Sequence, residues 1–431
     1  MSDIYKVKPI SYPVKGIVQV PGSKSITNRA LPIAALADGE CRLSHVLFSD
    51  DSRHFINCLK TLGFQMNVDE PNKEVRIQGQ NGYISGNGDE VVDLFVGNAG
   101  TAARFLTACL AIGDGVYRVD GIPRMRERPI QDLIDALRML GVSIEDELQT
   151  GCPPVRIRGG KLPGGKTRVK GNKSSQYLSG LLLVAPYASS DVTIEIDGEL
   201  IAKPYVHMTI EMMKAFGVEV ENRDDQAFFI RAGQRYQART YAIEPDASNA
   251  SYFLAAAAIT GGTITIENLG KNSLQGDAGF AYVLERMGCQ VSLTNDSVTV
   301  TGPQDGKLQG IDIDLNEMSD MTQTLAAIAP FASTPVTIRN IGHIRLQETD
   351  RIKALATELG KLGQTVHEYP DALRIEPAPI RPNVEIDTYD DHRMAMSFAI
   401  LGLCADGLVL RDPMCVRKTF PTYYEVLETL Y

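Results

Sequence analysis

The chain has 431 residues, of which 44% are hydrophobic and 22% charged, and a formal net charge of −10. That length suits two domains, each able to bury a full core, while the composition excludes a disordered chain, and no apolar stretch reaches the roughly 18 residues that cross a bilayer. The negative charge excludes a nucleic-acid partner, because a phosphate backbone calls for a basic field, so any bound anion has to be captured by local clusters.

The opening MSDIYKVKPI has neither the basic nor the apolar region of a secretion signal, and a cytosolic location is expected. Its YKVKPI portion reads as a strand. From Gly22 a polar turn leads into an Ala-rich apolar run, GSKSITNRALPIAALA. The same type of segment returns as GNAGTAARFLTACLAI from Gly97, GNKSSQYLSGLLLVAP from Gly171, PDASNASYFLAAAAI from Pro245, MSDMTQTLAAIAPFA from Met318 and YDDHRMAMSFAILGL from Tyr389. Six copies at intervals of about 74 residues mark an internal repeat. Between them runs an amphipathic helix pattern that closes on Leu62-Gly63, Leu140-Gly141, Phe216-Gly217, Met287-Gly288 and Leu362-Gly363, glycines placed as C′ caps. Strand-like alternation follows each, as in FQMNVDE and VSIEDE. The sixth such helix, FPTYYEVLETL, ends the chain, so YKVKPI is expected to supply the strand its unit lacks.

Six units suit two domains of three. Pro21-Gly22 and Glu244-Pro245 stand where a strand gives way to a repeat start, so residues 1–21 with 245–431 are expected to form one domain and 22–244 an inserted one. The fold class is α/β, and a cleft between two such domains is a common ligand site. Seven scattered cysteines with no CxxC pair argue for free thiols rather than disulfides or structural zinc.

Each Ala-rich helix opens with Ser, Thr, Asn or Asp, which cap first-turn N–H groups, and a helix N-terminus also attracts anions. Basic residues fall at these places: Lys24 and Arg29, then Arg104, Arg351 and Arg393. Arg124, Arg126, Arg128, Lys203, Arg417 and Lys418 precede the second type of helix. One basic residue alone is usually a solvated surface charge; recurrence at matching repeat positions argues for anion sites. PGSKS is not a nucleotide phosphate loop, since Ser23 separates Gly22 from Lys24, and GNAGT is too short for a dinucleotide fingerprint. Asp320, Glu348 and His392 are the candidates for proton transfer, each beside cations that hold a carboxylate ionised unless burial opposes it. Their plainer alternatives are a helix cap, an ion-pair partner and a core histidine; their shared placement at repeat starts favours chemistry.

PGSKSITNRAL, GNAGT, RMRERPI, SSQYL, KPY, ETDRI, DDHRMAM and RKTFP, in this order over nearly the whole chain, resemble the 5-enolpyruvylshikimate-3-phosphate synthase family of enolpyruvyl transferases. The resemblance implies a two-domain inside-out α/β barrel of six βαβαββ repeats that closes on its substrates. It implies transfer of the enolpyruvyl group of phosphoenolpyruvate to the 5-hydroxyl of shikimate 3-phosphate through a tetrahedral intermediate, with release of phosphate, in aromatic amino-acid biosynthesis. Neither a metal nor an organic cofactor is implied, the partners are the two small molecules alone, and a monomer is expected. By motif, Lys24, Gly100, Arg128, Gln176, Arg351, Arg393 and Lys418 would bind phosphoenolpyruvate. Lys24, Ser25, Arg29, Ser174, Ser175, Gln176, Tyr205, Asp320 and Gln347 would hold shikimate 3-phosphate. Asp320 resembles the family's base and Glu348 its acid, with Lys24 and His392 also at the reaction centre.

Four positions depart from that pattern. Gln347 stands where a Lys is usual, with Arg345 the nearest compensating cation; Ala202 replaces a Ser, His343 an Asn, and Phe105 the Pro that often follows Arg104 on the helix shaping the glyphosate pocket. Altered glyphosate sensitivity is therefore expected. UDP-N-acetylglucosamine enolpyruvyl transferase, the alternative enzyme, usually carries Lys-Asn near its start and a Cys on its donor loop; here Lys24-Ser25 stands, with no Cys from Arg124 to Arg128. A catalytically silent metabolite-binding relative is the other alternative, disfavoured because a binding module has little need of both an acid and a base.

Overall fold

A computed structural model of the chain describes residues 3–431. The chain divides into two compact units, Gly22–Ile243 and the residues up to Pro21 together with Glu244–Tyr431, called here the insert and terminal units. Glu244 lies one residue beyond the expected boundary, and its carboxylate explains why. It accepts hydrogen bonds from Ser273 Oγ (2.6 Å), Leu274 N (3.2 Å) and Gln275 Nε2 (3.1 Å), all in the terminal unit.

Each unit contains three small sheets of one design. In the terminal unit Lys15–Val18 runs parallel to Thr263–Glu267, which pairs antiparallel with Ser297–Thr301, itself antiparallel to Gln290–Leu293. The same order is built from Asp312–Asp314, Val336–Arg339, Leu373–Glu376 and Thr365–Glu368. In the third sheet Glu385–Ile386 is parallel to Val409–Arg411, and Ile4–Lys6 pairs antiparallel with the latter, so the chain's first strand completes its last unit. The insert unit repeats the scheme three times, and Thr240–Ala242, its last strand, lies parallel to Asp38–Ser44 of its first repeat. The strands alternate buried and exposed residues, as period-two side chains on a half-covered sheet must.

Helices alternate between two kinds. The insert unit has α1 (Lys24–Leu36), α2 (Asp50–Thr61), α3 (Gly100–Cys109), α4 (Gln131–Met139), α5 (Ser175–Val184) and α6 (Lys203–Ala215). The terminal unit has α7 (Ala247–Thr260), α8 (Phe280–Arg286), α9 (Thr322–Ile328), α10 (Arg351–Lys361), α11 (His392–Gly402) and α12 (Tyr423–Glu428). Odd-numbered helices are the Ala-rich segments and are buried almost throughout; in α7 every residue from Ala247 to Ile259 is buried. Small side chains make that possible, because three helices can then pack together, as α7, α9 and α11 do, and Ser251 on α7 meets Thr324 on α9 through their hydroxyls at 2.9 Å. Even-numbered helices bury one face, and the glycine after α2, α4, α6, α8 and α10 has a left-handed backbone in each case, as C′ caps require. Phe253 on α7 is fully buried, and cutting it to Ala would cost about 3–5 kcal/mol of stability. No helix among the described residues is long and apolar enough to cross a membrane.

Candidate active site

Helix starts of both kinds gather the charged residues within each unit, and Arg351 and Glu348, expected at an Ala-rich start, stand instead at the start of the even-numbered α10. In the terminal unit the centre is Arg351, the first residue of α10, set behind the Asp350 cap and only 1% exposed. Its Nε donates to Asp391 Oδ2 (2.8 Å), Nη2 to Glu348 Oε2 (2.8 Å), and Nη1 to Asp320 Oδ1 (3.1 Å) and to Gln347 Oε1. Burial lowers the proton affinity of this guanidinium, but the charges of Asp391, Glu348 and Asp320 outweigh burial and raise it above the ordinary value. Asp320 spans two guanidiniums, its Oδ2 accepting from Arg393 Nη2 at 2.6 Å. Arg393 also reaches the Tyr252 hydroxyl at 3.4 Å, and Lys418 Nζ lies 4.0 Å from Glu348. Asp391 caps α11 through the Arg393 N–H (2.9 Å) and stands 3.6 Å from His392 Nδ1 on the same helix. His392 is fully buried. His343 lies at the edge of the cluster, its Nε2 2.8 Å from Ser319 Oγ, and burial lowers its proton affinity against the pull of Asp320. Three cations, Arg351, Arg393 and Lys418, thus stand among three carboxylates, Asp320, Glu348 and Asp391.

In the insert unit, the buried arginines Arg29, Arg104 and Arg128 are held by neutral acceptors. Arg29 on α1 donates to Thr209 Oγ1 (2.7 Å), Ser25 O (2.9 Å) and Tyr205 O (2.9 Å), with its guanidinium 5.4 Å from the centre of the Phe105 ring. Arg104 on α3 donates to Gly100 O (3.2 Å) and Pro129 O (2.6 Å), and the Tyr177 hydroxyl donates to the same Pro129 carbonyl at 2.6 Å. These bonds fix the loop that carries Arg128, whose Nη1 donates to Asn98 O (2.9 Å) and Oδ1 (3.2 Å). Burial pulls both Arg29 and Arg104 down to about 10, with the Arg128 charge adding to the effect at Arg104, and both still carry a proton at neutral pH. Gly100 opens α3 where the Arg128 guanidinium passes, and a Cβ there would sit 2.4 Å from Nη2. Gln176 Nε2 donates to Thr101 Oγ1 (3.4 Å), Ser174 caps α5 through the Gln176 N–H (3.2 Å), and Ser175 follows it, buried. Lys24 is the first residue of α1, behind the Ser23 cap.

Several expectations need correction. Not every Ala-rich helix is capped by a side chain: α3 and α9 are not. Their N-cap residues, Ala99 and Met321, have no side-chain oxygen, and the oxygens one residue earlier are turned to arginines, Asn98 to Arg128 and Asp320 to Arg351 and Arg393. Asp320 is therefore no helix cap, and it sits in a 3-10 turn, Asn316–Met321, ahead of α9. Arg345 does not replace the missing Lys at position 347, because it is spent on both Asp350 oxygens (2.8 and 2.9 Å), Glu368 (2.9 Å) and the carbonyls of Tyr369 and Pro370. Arg124 pairs with Glu127 at 2.8 Å and Arg126 with Asp120 at 2.7 Å. Lys203 is 3.8 Å from Asp225, and Ala202 before it takes a left-handed backbone, a strain that its methyl does nothing to relieve. Asp391, Asn98 and Thr209 were not singled out from the sequence as organisers of arginines. For Asp391 the one sequence cue is the doubled acid in YDDHRM.

Buried guanidiniums at helix starts, some set among carboxylates and some among neutral acceptors, define a protein equipped to handle small anions on a six-repeat α/β scaffold. EPSP synthase from Acinetobacter baumannii shares that scaffold, with a TM-score of 0.82 at 24% identity over 99% of this chain and 98% of its own. Sequence similarity reaches further. The 3-phosphoshikimate 1-carboxyvinyltransferase of Nostoc sp. is 52% identical over 98% of both chains, and the chloroplastic one of Arabidopsis thaliana is 49% identical over 97% of this chain and 82% of its own. Residues 8–427 match the family of EPSP synthases (3-phosphoshikimate 1-carboxyvinyltransferases), and the chain belongs to that family.

Proposed function

We propose that the chain transfers the enolpyruvyl group of phosphoenolpyruvate to the 5-hydroxyl of shikimate 3-phosphate and releases phosphate. The observation that carries this reading is Asp320 shared between Arg351 and Arg393 with Glu348 on the same Arg351: a base and an acid wired to the cations that would hold the donor. In this reading Lys24, Arg128, Arg351, Arg393 and Lys418 bind phosphoenolpyruvate, assisted by Gln176 and the backbone at Gly100. Ser25, Arg29, Ser174, Ser175, Gln176, Tyr205, Asp320 and Gln347 hold shikimate 3-phosphate. Planar guanidiniums match carboxylate and phosphate oxygens in pairs, which suits them to the donor.

Asp320 takes the proton of the 5-hydroxyl as its oxygen bonds to C2 of phosphoenolpyruvate, and the C2–C3 π electrons take a proton from Glu348 at C3. The tetrahedral adduct then returns a C3 proton to the Glu348 carboxylate, the C–H electrons re-form the double bond, and phosphate leaves with the electrons of the bond between C2 and its own oxygen. Cations around the donor stabilise the phosphate as its charge grows. The anionic donor also competes with Asp320 and Glu348 for Arg351, Arg393 and Lys418. Each carboxylate that loses a cation to the donor holds a proton more strongly, so substrate binding itself readies the base and the acid. Guanidinium and ammonium groups supply the charge in every step, and no cofactor is invoked. The enzyme is read as a cytosolic monomer.

The test is phosphate release by the purified protein with both substrates against each alone. Release that needs both supports the reading; release with UDP-N-acetylglucosamine in place of shikimate 3-phosphate, or none at all, removes it.

A further inference from the structure

A fourth acid of the terminal unit stands beside the cluster and has no part in the steps above. Asp277 lies in the 3-10 turn Gly276–Gly279 ahead of α8 and is 5% exposed. Its Oδ2 accepts a hydrogen bond from Ser248 Oγ, in the first turn of α7. The turn packs against the two elements that frame the base. One is α7, whose Tyr252 hydroxyl contacts Arg393. The other is the Asn316–Met321 turn that carries Asp320, so close that a Cβ on Gly279 would meet the Met318 methyl at 3.1 Å.

Charged groups that act on Asp277 include Asp320 from that turn, Arg393 from α11 and Asp246, the cap of α7. Glu317 in the same turn as Asp320, and Glu285 and Arg286 on α8, face solvent. Burial, with the Asp320 charge second, pushes the Asp277 carboxyl up to about 7, while the Ser248 hydroxyl and Arg393 draw it down. Asp277 thus changes charge where an enzyme at neutral pH works, a few side chains from a carboxylate already shared by two guanidiniums. A carboxylate held in that way is a weak base, and a second negative charge beside it strengthens it.

We propose that Asp277 is a positioning residue for the transfer: its negative charge repels that of Asp320 and so sets how readily Asp320 accepts the substrate proton. This rests on the reading of Asp320 as the base. With Asp277 protonated, Asp320 stays bound to its arginines and turnover is slow. With Asp277 ionised, Asp320 is a stronger base and turnover is fast. Asp277 touches neither substrate in this account, so the effect falls on kcat rather than on KM.

The experiment measures kcat and the KM for phosphoenolpyruvate from pH 5.5 to 8.5 for wild type, Asp277→Asn, Asp277→Glu and Ser248→Ala, with folding checked by circular dichroism. Ratios of wild type to variant cancel the titration of the substrates' own phosphates. The wild-type to Asp277→Asn ratio of kcat should rise from near unity at low pH to about tenfold at high pH, centred near neutrality, with KM unchanged within about twofold. Asp277→Glu should keep the wild-type limb. Ser248→Ala removes the donor that favours the ionised acid and should move the limb to higher pH. A ratio that stays constant across the range, or a Ser248→Ala limb at the wild-type position, overturns the proposal even if Asp277→Asn folds poorly. Wild-type protein that releases no phosphate with both substrates overturns the assignment of Asp320 as base and this inference with it.

Discussion

The two units use the same repeat for opposite electrostatic ends. At the helix starts of the terminal unit, Arg351, Arg393 and Lys418 are matched by Asp320, Glu348 and Asp391. At those of the insert unit, Arg29, Arg104 and Arg128 hydrogen-bond to carbonyls, a hydroxyl and an amide. A neutral acceptor fixes a guanidinium without cancelling its charge, whereas a carboxylate does both. The insert unit is therefore arranged to attract anions, whereas in the terminal unit each of these cations already stands beside a carboxylate. One scaffold does both because the residue before each helix is free to be a cap, a carboxylate or an amide.

The largest test of this contrast removes the acids. Asp320→Asn and Glu348→Gln should each lower kcat by about 10²- to 10⁴-fold, the usual range for positioned acid–base groups. Wild-type turnover in either variant would take that residue out of the mechanism. On the insert side, Gly100→Ala puts a methyl where the Arg128 guanidinium lies and should push it off its place. We expect the KM for phosphoenolpyruvate to rise by about tenfold, equal to roughly 1.4 kcal/mol of lost binding. An unchanged KM would mean that Arg128 does not bind the donor.

Buried acid also has a cost that pH reveals. Folded Asp277 keeps its proton up to about 7, while in an unfolded chain the carboxyl loses it near its ordinary value of 3.8. Between these values unfolding releases a proton, so this group's contribution to stability falls as pH rises through the window and levels off above it. Asp277→Asn removes that fall. The melting temperature of the variant relative to wild type should therefore climb by a few degrees from pH 5 to pH 8 in thermal melts, and a constant difference would deny the buried acid. The smallest effect is expected at Phe105, where the ring faces the Arg29 guanidinium. Phe105→Leu should weaken shikimate 3-phosphate binding by about two- to fivefold, the scale of one cation–π contact. The glyphosate inhibition constant of wild type should differ from that of relatives with Pro at this place; equality would show that Phe105 does not reshape the pocket.

Much of the architecture was legible because it is local. Repeat starts, the C′ glycines and the alternating strands are periodicities of neighbouring residues, and even the return of the first strand to the last unit followed from counting elements. The pairings within the site were not legible. Asp391 holds Arg351 from 40 residues away, and Asp320 holds Arg393 from 73, so a helix-period or strand-period pattern contains neither contact. A residue before a helix reads as a cap whether it bonds its own backbone, as Asp391 does, or turns away to an arginine, as Asp320 does. Arg345 looked like a replacement for the absent lysine because sequence distance is all a sequence offers; Asp350 and Glu368 claim it in the fold. Asp277 was missed for a similar reason, since QGDAG has the composition of an exposed turn and gives no sign of its burial.

The division of labour between anion capture and acid–base chemistry is tested most directly by rapid quench of a single turnover with excess enzyme, shikimate 3-phosphate and labelled phosphoenolpyruvate. A tetrahedral adduct of the two substrates should form and decay into phosphate and product in wild type, and should accumulate far more slowly in Asp320→Asn and Glu348→Gln. Phosphate appearing without the acceptor, or an adduct forming at the wild-type rate in both variants, would contradict it.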